Sequence, residues 1–147
     1  MVAEELPGVL AGIHRLVRRR LRRDLPGPRL RGAEVELLHL VSARPGIGVS
    51  AAATSLYLAG NSVSTLVNKL TAAGLLHRET SDADRRSARL LITPQAEARL
   101  RDWEARRAAL VRDQVVRLSD DDRAALQAAL PALQRLADGL RDEMEAT

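Results

Sequence analysis

The amino-acid sequence predicts a mainly α-helical protein with one small β-hairpin. Of its 147 residues, 46% are apolar and 29% are charged, a balance typical of a globular chain of one domain or two small lobes. Aromatic residues make up only 1%, so the core must be built from Leu, Val, Ile and Ala. Because pleated sheets prefer aromatic and β-branched side chains, this composition favours helices. Apolar residues also recur at spacings of three and four along most of the chain, which is the helical period.

The first half of the chain contains four predicted helices. The cluster Pro26-Gly27-Pro28 ends the first of them. Ser50 is predicted as the N-cap of the third, because its hydroxyl can accept a hydrogen bond from a free backbone N–H. Gly74 is predicted to end the fourth. The approximate bounds of the four helices are residues 4–23, 35–41, 50–56 and 60–73.

The second half predicts a hairpin followed by two long helices. Two short apolar stretches, Leu75-Leu76 and Leu90-Leu91-Ile92, flank the polar segment 82–86, as strands flank a turn. Thr93-Pro94 has the pattern of an N-cap followed by proline at the first helical position. Ser119 resembles the start of a capping box and is predicted to begin the last helix.

Several functional classes are excluded or disfavoured by what the sequence lacks. The absence of cysteine excludes disulfides, thiolate metal clusters and cysteine nucleophiles. The three histidines, His14, His39 and His77, form no i, i+4 pair, so we expect no metal site and no cofactor. No G-x-S-x-G, HExxH or glycine-rich phosphate loop occurs, so we expect no enzyme. No apolar run reaches the roughly 20 residues of a membrane span and no signal peptide is evident, so we expect a soluble, cytoplasmic protein.

Charge is distributed unevenly along the chain. The formal net charge is +4, and Lys69 is the only lysine among 23 basic residues. The net charge is +3 over residues 1–43, +3 over residues 44–93 and −2 over residues 94–147. The basic excess permits a polyanionic partner without establishing one. The run Arg18 to Arg23 is either a nucleic-acid arm or the solvated end of an amphipathic helix.

The middle of the chain combines two helices with a hairpin that has arginines near its tip. A helix fits the major groove of B-DNA, where short polar side chains can read base edges, and arginines on a hairpin can reach the minor groove or phosphates. Two segments resemble the MarR family of winged helix-turn-helix transcription regulators. They are VSAAATSLYLAGNSVSTLVNKLTAAGLL, residues 49–76, and DADRRSARLLITPQAEARL, residues 82–100, with the family's acidic-arginine wing tip and Thr-Pro helix start.

The resemblance covers almost the whole chain and implies a winged helix-turn-helix with a helical dimerisation lobe. Residues 1–43 would be N-terminal helices, the first of them in the dimerisation lobe. Residues 44–93 would be the DNA-binding domain, and residues 94–147 the C-terminal dimerisation helices. The implied function is a homodimeric, sequence-specific regulator of transcription, more readily a repressor, on near-palindromic double-stranded DNA. A sequence-independent architectural DNA-binding protein is the alternative.

The resemblance also implies site residues. One of the wing arginines would enter the minor groove while Asp84 braces the other, and a small-molecule effector would bind beside the reading head unless the regulator is constitutive. The implied DNA-binding residues are Ser50, Asn61, Ser62, Ser64, Thr65, Asn68, Lys69, Arg85 and Arg86. The implied effector-binding residues are His14, Arg15 and His39.

The sequence departs from the family pattern at the turn and on the recognition helix. Tyr57 stands where glycine is usual, so a positive φ at that position would be strained. Ala59 and Gly60 replace a common Ser-Pro helix start. Thr65 replaces a frequent arginine, which leaves Lys69 as the only cation of the recognition helix. We therefore expect affinity to come from arginines elsewhere and sequence preference to come from hydroxyl and amide groups and from DNA shape.

Overall fold

The computed structural model describes the backbone of residues 1–24, 29–81 and 84–146 and the side chains of residues 1–23, 29–80 and 88–146. Within these ranges it contains six α-helices and one two-stranded antiparallel sheet, which confirms the predicted mainly α-helical fold with a small hairpin. The elements are α1 (Val2–Asp24), α2 (Gly32–Ala43), α3 (Val49–Leu56), α4 (Gly60–Ala72), β1 (Leu76–Ser81), β2 (Asp84–Ile92), α5 (Pro94–Val116) and α6 (Asp120–Glu145).

The chain forms two compact units, Met1–Arg106 and Arg107–Thr147. The first unit contains α1 to α4, the hairpin and the beginning of α5. The second contains the end of α5 and all of α6. The division into functional segments at residues 43 and 93 stays a prediction, because it concerns which parts bind DNA and which bind a second copy.

One hydrophobic core organises the first unit. The helices α2, α3 and α4, the hairpin and the start of α5 all contribute buried aliphatic side chains to it. Each fully buried Leu or Val stabilises the fold by about 1.5–3 kcal/mol, so this core holds the five elements in one arrangement. Its completely or almost completely buried members include Leu37, Leu38, Val41, Ala52, Val63, Val67, Leu70, Leu75, Leu90 and Ala96.

The N-cap of α3 is Gly48, so the prediction that Ser50 caps this helix is wrong. Gly48 has an extended backbone and forms an isolated antiparallel bridge with Arg89 of β2. Its carbonyl already accepts the first helical hydrogen bond, from the N–H of Ala52. Pairing with the hairpin therefore places the N-cap of α3 two residues before Ser50, which becomes an exposed residue of the first helical turn.

The predicted roles of Gly74 and Thr93 at helix ends are confirmed, whereas the cluster Pro26-Gly27-Pro28 lies outside the described residues and α2 is longer at both ends than the predicted 35–41. The N–H of Leu75 donates to the carbonyl of Leu70 and the N–H of Gly74 to that of Thr71, which is the hydrogen-bond pair of a Schellman motif. Gly74 has a φ of 74°, the left-handed conformation that this motif requires. Thr93 caps α5, because its Oγ1 accepts from the N–H of Ala96 at 3.2 Å.

The second unit is a helical segment with little burial of its own. Ser119 caps α6 as predicted, because its Oγ accepts from the N–H of Asp122 at 3.1 Å. The helix continues through Pro131 and has no buried residue in the part of the chain that the structure describes. Four of its leucines are exposed at helical spacing, Leu126, Leu130, Leu136 and Leu140, and Leu133 is partly buried.

Candidate nucleic-acid interface

The helices α3 and α4 pack against each other and are joined by a short turn. Ala52 and Ala53 on α3 and Val63 and Val67 on α4 are buried in the shared core. Tyr57 ends α3 with φ 56° and ψ 39°, which is a left-handed conformation with a positive φ. A residue with a β-carbon costs about 1–2 kcal/mol in this conformation relative to the right-handed one. The turn therefore keeps a left-handed geometry at the expense of local strain.

Helix α4 has one apolar and one polar face. Val63, Val67 and Leu70 are buried, and they fix the helix against the core. The opposite face contains the predicted reading residues, which the structure brings together along three helical turns. Asn61, Ser62, Thr65, Asn68 and Lys69 are exposed, and Ser64 is partly buried.

The hydroxyl of Thr65 has a defined role on this face. Its Oγ1 donates to the backbone carbonyl of Asn61 at 3.0 Å. A hydroxyl has only one proton, so Thr65 presents its methyl group and an acceptor oxygen outward rather than a donor. Such a side chain matches a thymine methyl or a base amino group better than a base carbonyl.

Lys69 is bound to a buried carboxylate of α2. Its Nζ lies 2.6 Å from Oε1 of Glu34, whose side chain is only 1% exposed. The other carboxylate oxygen of Glu34 accepts from the backbone N–H of Arg31 at 3.1 Å. Burial raises the pKa of the Glu34 carboxyl, but the hydrogen bonds and positive charges of Lys69 and Arg31 outweigh it, so the pKa lies below its ordinary value. The lysine thus joins α4 to α2 and neutralises a charge in the core.

Asn68 is joined to the first strand of the hairpin. Its Oδ1 accepts a hydrogen bond from Nη2 of Arg78, on β1, at 2.9 Å, and both side chains are exposed. The guanidinium of Arg78 therefore lies beside the polar face of α4 and supplies a positive charge there. At this point a hydrogen bond joins the exposed polar side chains of α4 and of the hairpin.

The hairpin pairs β1 with β2 from Leu76 and Ile92 to Thr80 and Ala88, and its register shifts between Thr80 and Ser81. Arg85 and Arg86 fall on the β2 backbone, but their side chains lie outside the described residues, as does that of Asp84. Their predicted roles at the wing tip stay predictions.

The base of the hairpin is tied to the loop between α2 and α3. The N–H of Gly46 donates to the carbonyl of Leu90, and the N–H of Leu90 donates to that of Ile47. Gly46 has a φ of 87°, and a β-carbon there would lie 2.5 Å from the guanidinium of Arg89. Arg44, in the same loop, donates from Nη1 to Oγ of Ser55 at 3.1 Å. Ser50, Arg44 and Arg89 are all exposed.

Comparison with known proteins places this geometry in a family. The model of the MarR family matches residues 30–87. A transcriptional regulatory protein for the hcr operon of Thauera aromatica is 36% identical over 104 residues, which is 67% of this chain and 60% of that protein. The chain belongs to the MarR family.

Solved structures of similar fold support the winged helix-turn-helix architecture. A MarR family protein from Bacillus stearothermophilus superposes with a TM-score of 0.72 at 18% identity, over 93% of this chain and 96% of that one. Streptococcus pneumoniae FabT in complex with DNA gives a TM-score of 0.71 at 21% identity, over 94% and 99% of the two chains. At these identities the likeness establishes the shared MarR fold.

The three effector residues suggested by the MarR resemblance are not brought together by any described contact. His14 and Arg15 are exposed on α1, and no hydrogen bond or ion pair of the described side chains connects them with His39. His39, on α2, lies with Nδ1 3.7 Å from Oε1 of Glu104. It borders an open cavity of about 220 Å³, whose other lining residues are Ser42, Glu97, Leu100, Arg101 and Glu104. The carboxylates of Glu97 and Glu104 outnumber the guanidinium of Arg101 in this lining, so the cavity does not favour an anionic ligand. Effector binding stays a prediction.

Two residues of the interface were missed by reasoning from the MarR sequence pattern. Glu34 falls at helical spacing with Leu37, Leu38 and Val41, so a charged residue on an apolar face was a visible signal for a buried ion pair. Arg78 gave no comparable signal, because its contact with Asn68 depends on how the hairpin leaves α4.

The described residues offer neither a metal site nor a membrane span. No group of three His, Cys, Asp or Glu residues there could hold a metal ion. In the same part of the chain, no helix is long and apolar enough to cross a membrane.

Proposed function

We propose that this protein is a sequence-specific double-stranded DNA-binding regulator of transcription, acting as a homodimeric repressor in the cytoplasm rather than as an enzyme. The observation that carries the proposal is the two-faced helix α4. Its aliphatic face is locked in the core, and its polar face lies beside an antiparallel hairpin. A helix of this kind fits the major groove, and the hairpin can then reach the adjacent minor groove.

The comparisons support a DNA partner. One of the solved structures of similar fold is FabT bound to DNA. The family match covers the segment from α2 to the hairpin, which contains every proposed DNA-binding residue. On this basis Asn61, Ser62, Ser64, Thr65, Asn68 and Lys69 line the major groove. Arg85 and Arg86 lie at the minor groove, and Ser50 offers its backbone N–H or hydroxyl to a phosphate.

Exposed apolar side chains support the homodimer. On α1, Val9, Leu10, Ile13 and Leu16 are between 43% and 64% exposed. On α6, Leu126, Leu130, Leu136 and Leu140 are between 43% and 56% exposed. Contiguous apolar surface of this kind marks an interaction site in a protein that remains in solution. A second copy would cover both helices and place two recognition helices about 34 Å apart on a near-palindromic site.

The proposal is tested by selecting bound duplexes from random DNA and measuring their affinity by mobility shift across a salt series. We expect one motif with two related half-sites, and much tighter binding to it than to a scrambled duplex. Equal affinity for both duplexes would instead identify a sequence-independent architectural protein. Sedimentation of the free protein tests the dimer, and reporter transcription with and without the protein tests repression.

The wing is tested with the double variant Arg85→Ala, Arg86→Ala. If these arginines contact the minor groove and phosphates, each lost contact in each half-site costs on the order of 1–3 kcal/mol. The affinity for the selected duplex should then fall by at least about two orders of magnitude. Arg141→Ala, on α6, is the matched control because it removes a guanidinium from the other unit. Full affinity in the double variant would refute the wing assignment.

A further inference from the structure

The contact between Asn68 and Arg78 fixes the orientation of the Asn68 amide. A guanidinium has five N–H donors and no acceptor, so the group of Asn68 that faces Arg78 at 2.9 Å must be the carbonyl oxygen. The amide nitrogen, with its two donors, then points away from Arg78. When DNA excludes water from this surface the hydrogen bond strengthens, and rotating the amide would place two sets of donors against each other.

The neighbouring side chains of α4 offer few other donors near this point. The hydroxyl protons of Thr65 and Thr71 are committed to the carbonyls of Asn61 and Val67. Lys69 directs one of its three ammonium protons to Glu34 on α2, so its Nζ is held on the side of α4 that faces α2. Beside Arg78, the recognition helix therefore presents donors to a base through the Asn68 amide nitrogen, next to the remaining N–H groups of Arg78.

We propose that Asn68 and Arg78 act as one donor-only reading unit that selects guanine, a specificity that rests on the proposed function. Guanine is the base whose major-groove edge offers two acceptors, N7 and O6. An unrestrained asparagine pairs instead with adenine, because it uses its oxygen as an acceptor from N6 and its nitrogen as a donor to N7. In this protein Arg78 occupies the oxygen and makes that pairing unfavourable.

The test compares the motifs that wild type and variants select from random duplex DNA. Wild type is expected to select guanine at one position of each half-site, with about 5- to 150-fold weaker binding when that base is changed. Asn68→Asp keeps the partner of Arg78 but replaces the outward donors by an acceptor, so cytosine is expected at that position. Arg78→Ala releases the amide, and adenine is expected there.

Two further variants, Asn68→Ala and Arg44→Ala, and a thermal-unfolding control complete the test. Asn68→Ala removes the reading group, so it is expected to lose selectivity at that single position even if Asn68→Asp binds no duplex. Arg44→Ala removes an exposed guanidinium that is hydrogen-bonded to Ser55 instead, and it is expected to weaken binding without changing the motif. Thermal unfolding should be nearly unchanged in all four variants, since their side chains are exposed.

The outcomes separate this inference from the proposed function. A wild-type motif that every Asn68 and Arg78 variant also selects would leave the regulator intact and overturn the reading unit. The reading unit is likewise overturned if the position that changes is not guanine in the wild-type motif. A wild-type protein that selects no motif would overturn both.

Discussion

Removing the amino group of Lys69 tests whether this lysine stabilises the fold by neutralising Glu34. In the variant Lys69→Met the aliphatic stem is largely kept, while the carboxylate of Glu34, 1% exposed, loses the partner that lies 2.6 Å away. The backbone N–H of Arg31 still donates to the other oxygen. The variant therefore leaves a buried negative charge that is only partly compensated.

The expected cost follows from the burial of the two partners. Removing one member of a fully buried ion pair costs about 3–5 kcal/mol. The Lys69 side chain is 56% exposed, so solvent already screens part of the attraction. A hydrogen bond to a charged group contributes about 1.5–3 kcal/mol, and we expect Lys69→Met to lower the free energy of unfolding by about that amount at pH 7.

The pH dependence of this cost has a definite sign. In the wild type the pKa of Glu34 is lowered, so its ionised carboxylate stabilises the fold above the unfolded pKa, and this contribution is lost as the pH falls through the folded pKa. In Lys69→Met burial remains and the lysine is gone, so the pKa of Glu34 rises. The difference in stability between wild type and variant should therefore be largest near pH 7 and should shrink as the pH falls, first through the raised pKa of Glu34 in the variant and then through its lowered pKa in the wild type.

Urea unfolding at fixed protein concentration, followed by circular dichroism at pH 7 and pH 4, measures both effects. Concentration is held constant because the proposed dimer would make the stability depend on it. The control is Arg141→Met, which breaks an exposed ion pair with Asp138 at 3.0 Å and should change the free energy of unfolding by less than about 1 kcal/mol. If Lys69→Met costs no more than this control at pH 7, the role assigned to the buried pair is wrong.

Substitutions at three positions, Tyr57, Thr93 and Gly46, test the local geometry around the candidate site by the same unfolding measurement. Tyr57→Gly should be more stable than Tyr57→Ala by about 1 kcal/mol, because only glycine relieves the positive φ; equal stability would contradict the strain. Thr93→Ala should cost about 1 kcal/mol and Thr93→Ser much less, because Oγ1 both accepts from Ala96 and donates to the carbonyl of Gly74 at 2.8 Å. Gly46→Ala should cost about 1–2 kcal/mol through its positive φ, a loss that Arg89→Ala would not restore because the guanidinium can move aside.

Much of the fold could be predicted from short-range signals in the sequence. The ends of α4, α5 and α6 follow from Gly74, Thr93 and Ser119, whose effects act within a few residues. The start of α3 could not be predicted in this way. Ser50 is a good N-cap residue, but Gly48 takes the position because it pairs with Arg89, about forty residues further along the chain.

The exposed polar face of α4 could be predicted from helical periodicity, whereas its contacts with other elements could not. The polar face of α4 follows from the spacing of Asn61, Thr65 and Asn68 between buried aliphatic residues. The partners of this face come from other elements: Glu34 from α2 and Arg78 from β1. Their positions depend on packing in the core, which periodicity does not specify.

The placement of positive charge separates attraction to DNA from reading of its bases. The only lysine of α4 is paired with Glu34, so the polar face of α4 carries little net positive charge. Under the proposed function, attraction to phosphates then comes from arginines on the hairpin and the loops, among them the exposed Arg44 and Arg89. Phosphate contacts set the salt dependence of binding, whereas base contacts set the selected sequence. Under the proposed function the two properties therefore belong largely to different residues, and Arg78, which would read a base together with Asn68, is the described arginine that brings positive charge to the polar face of α4.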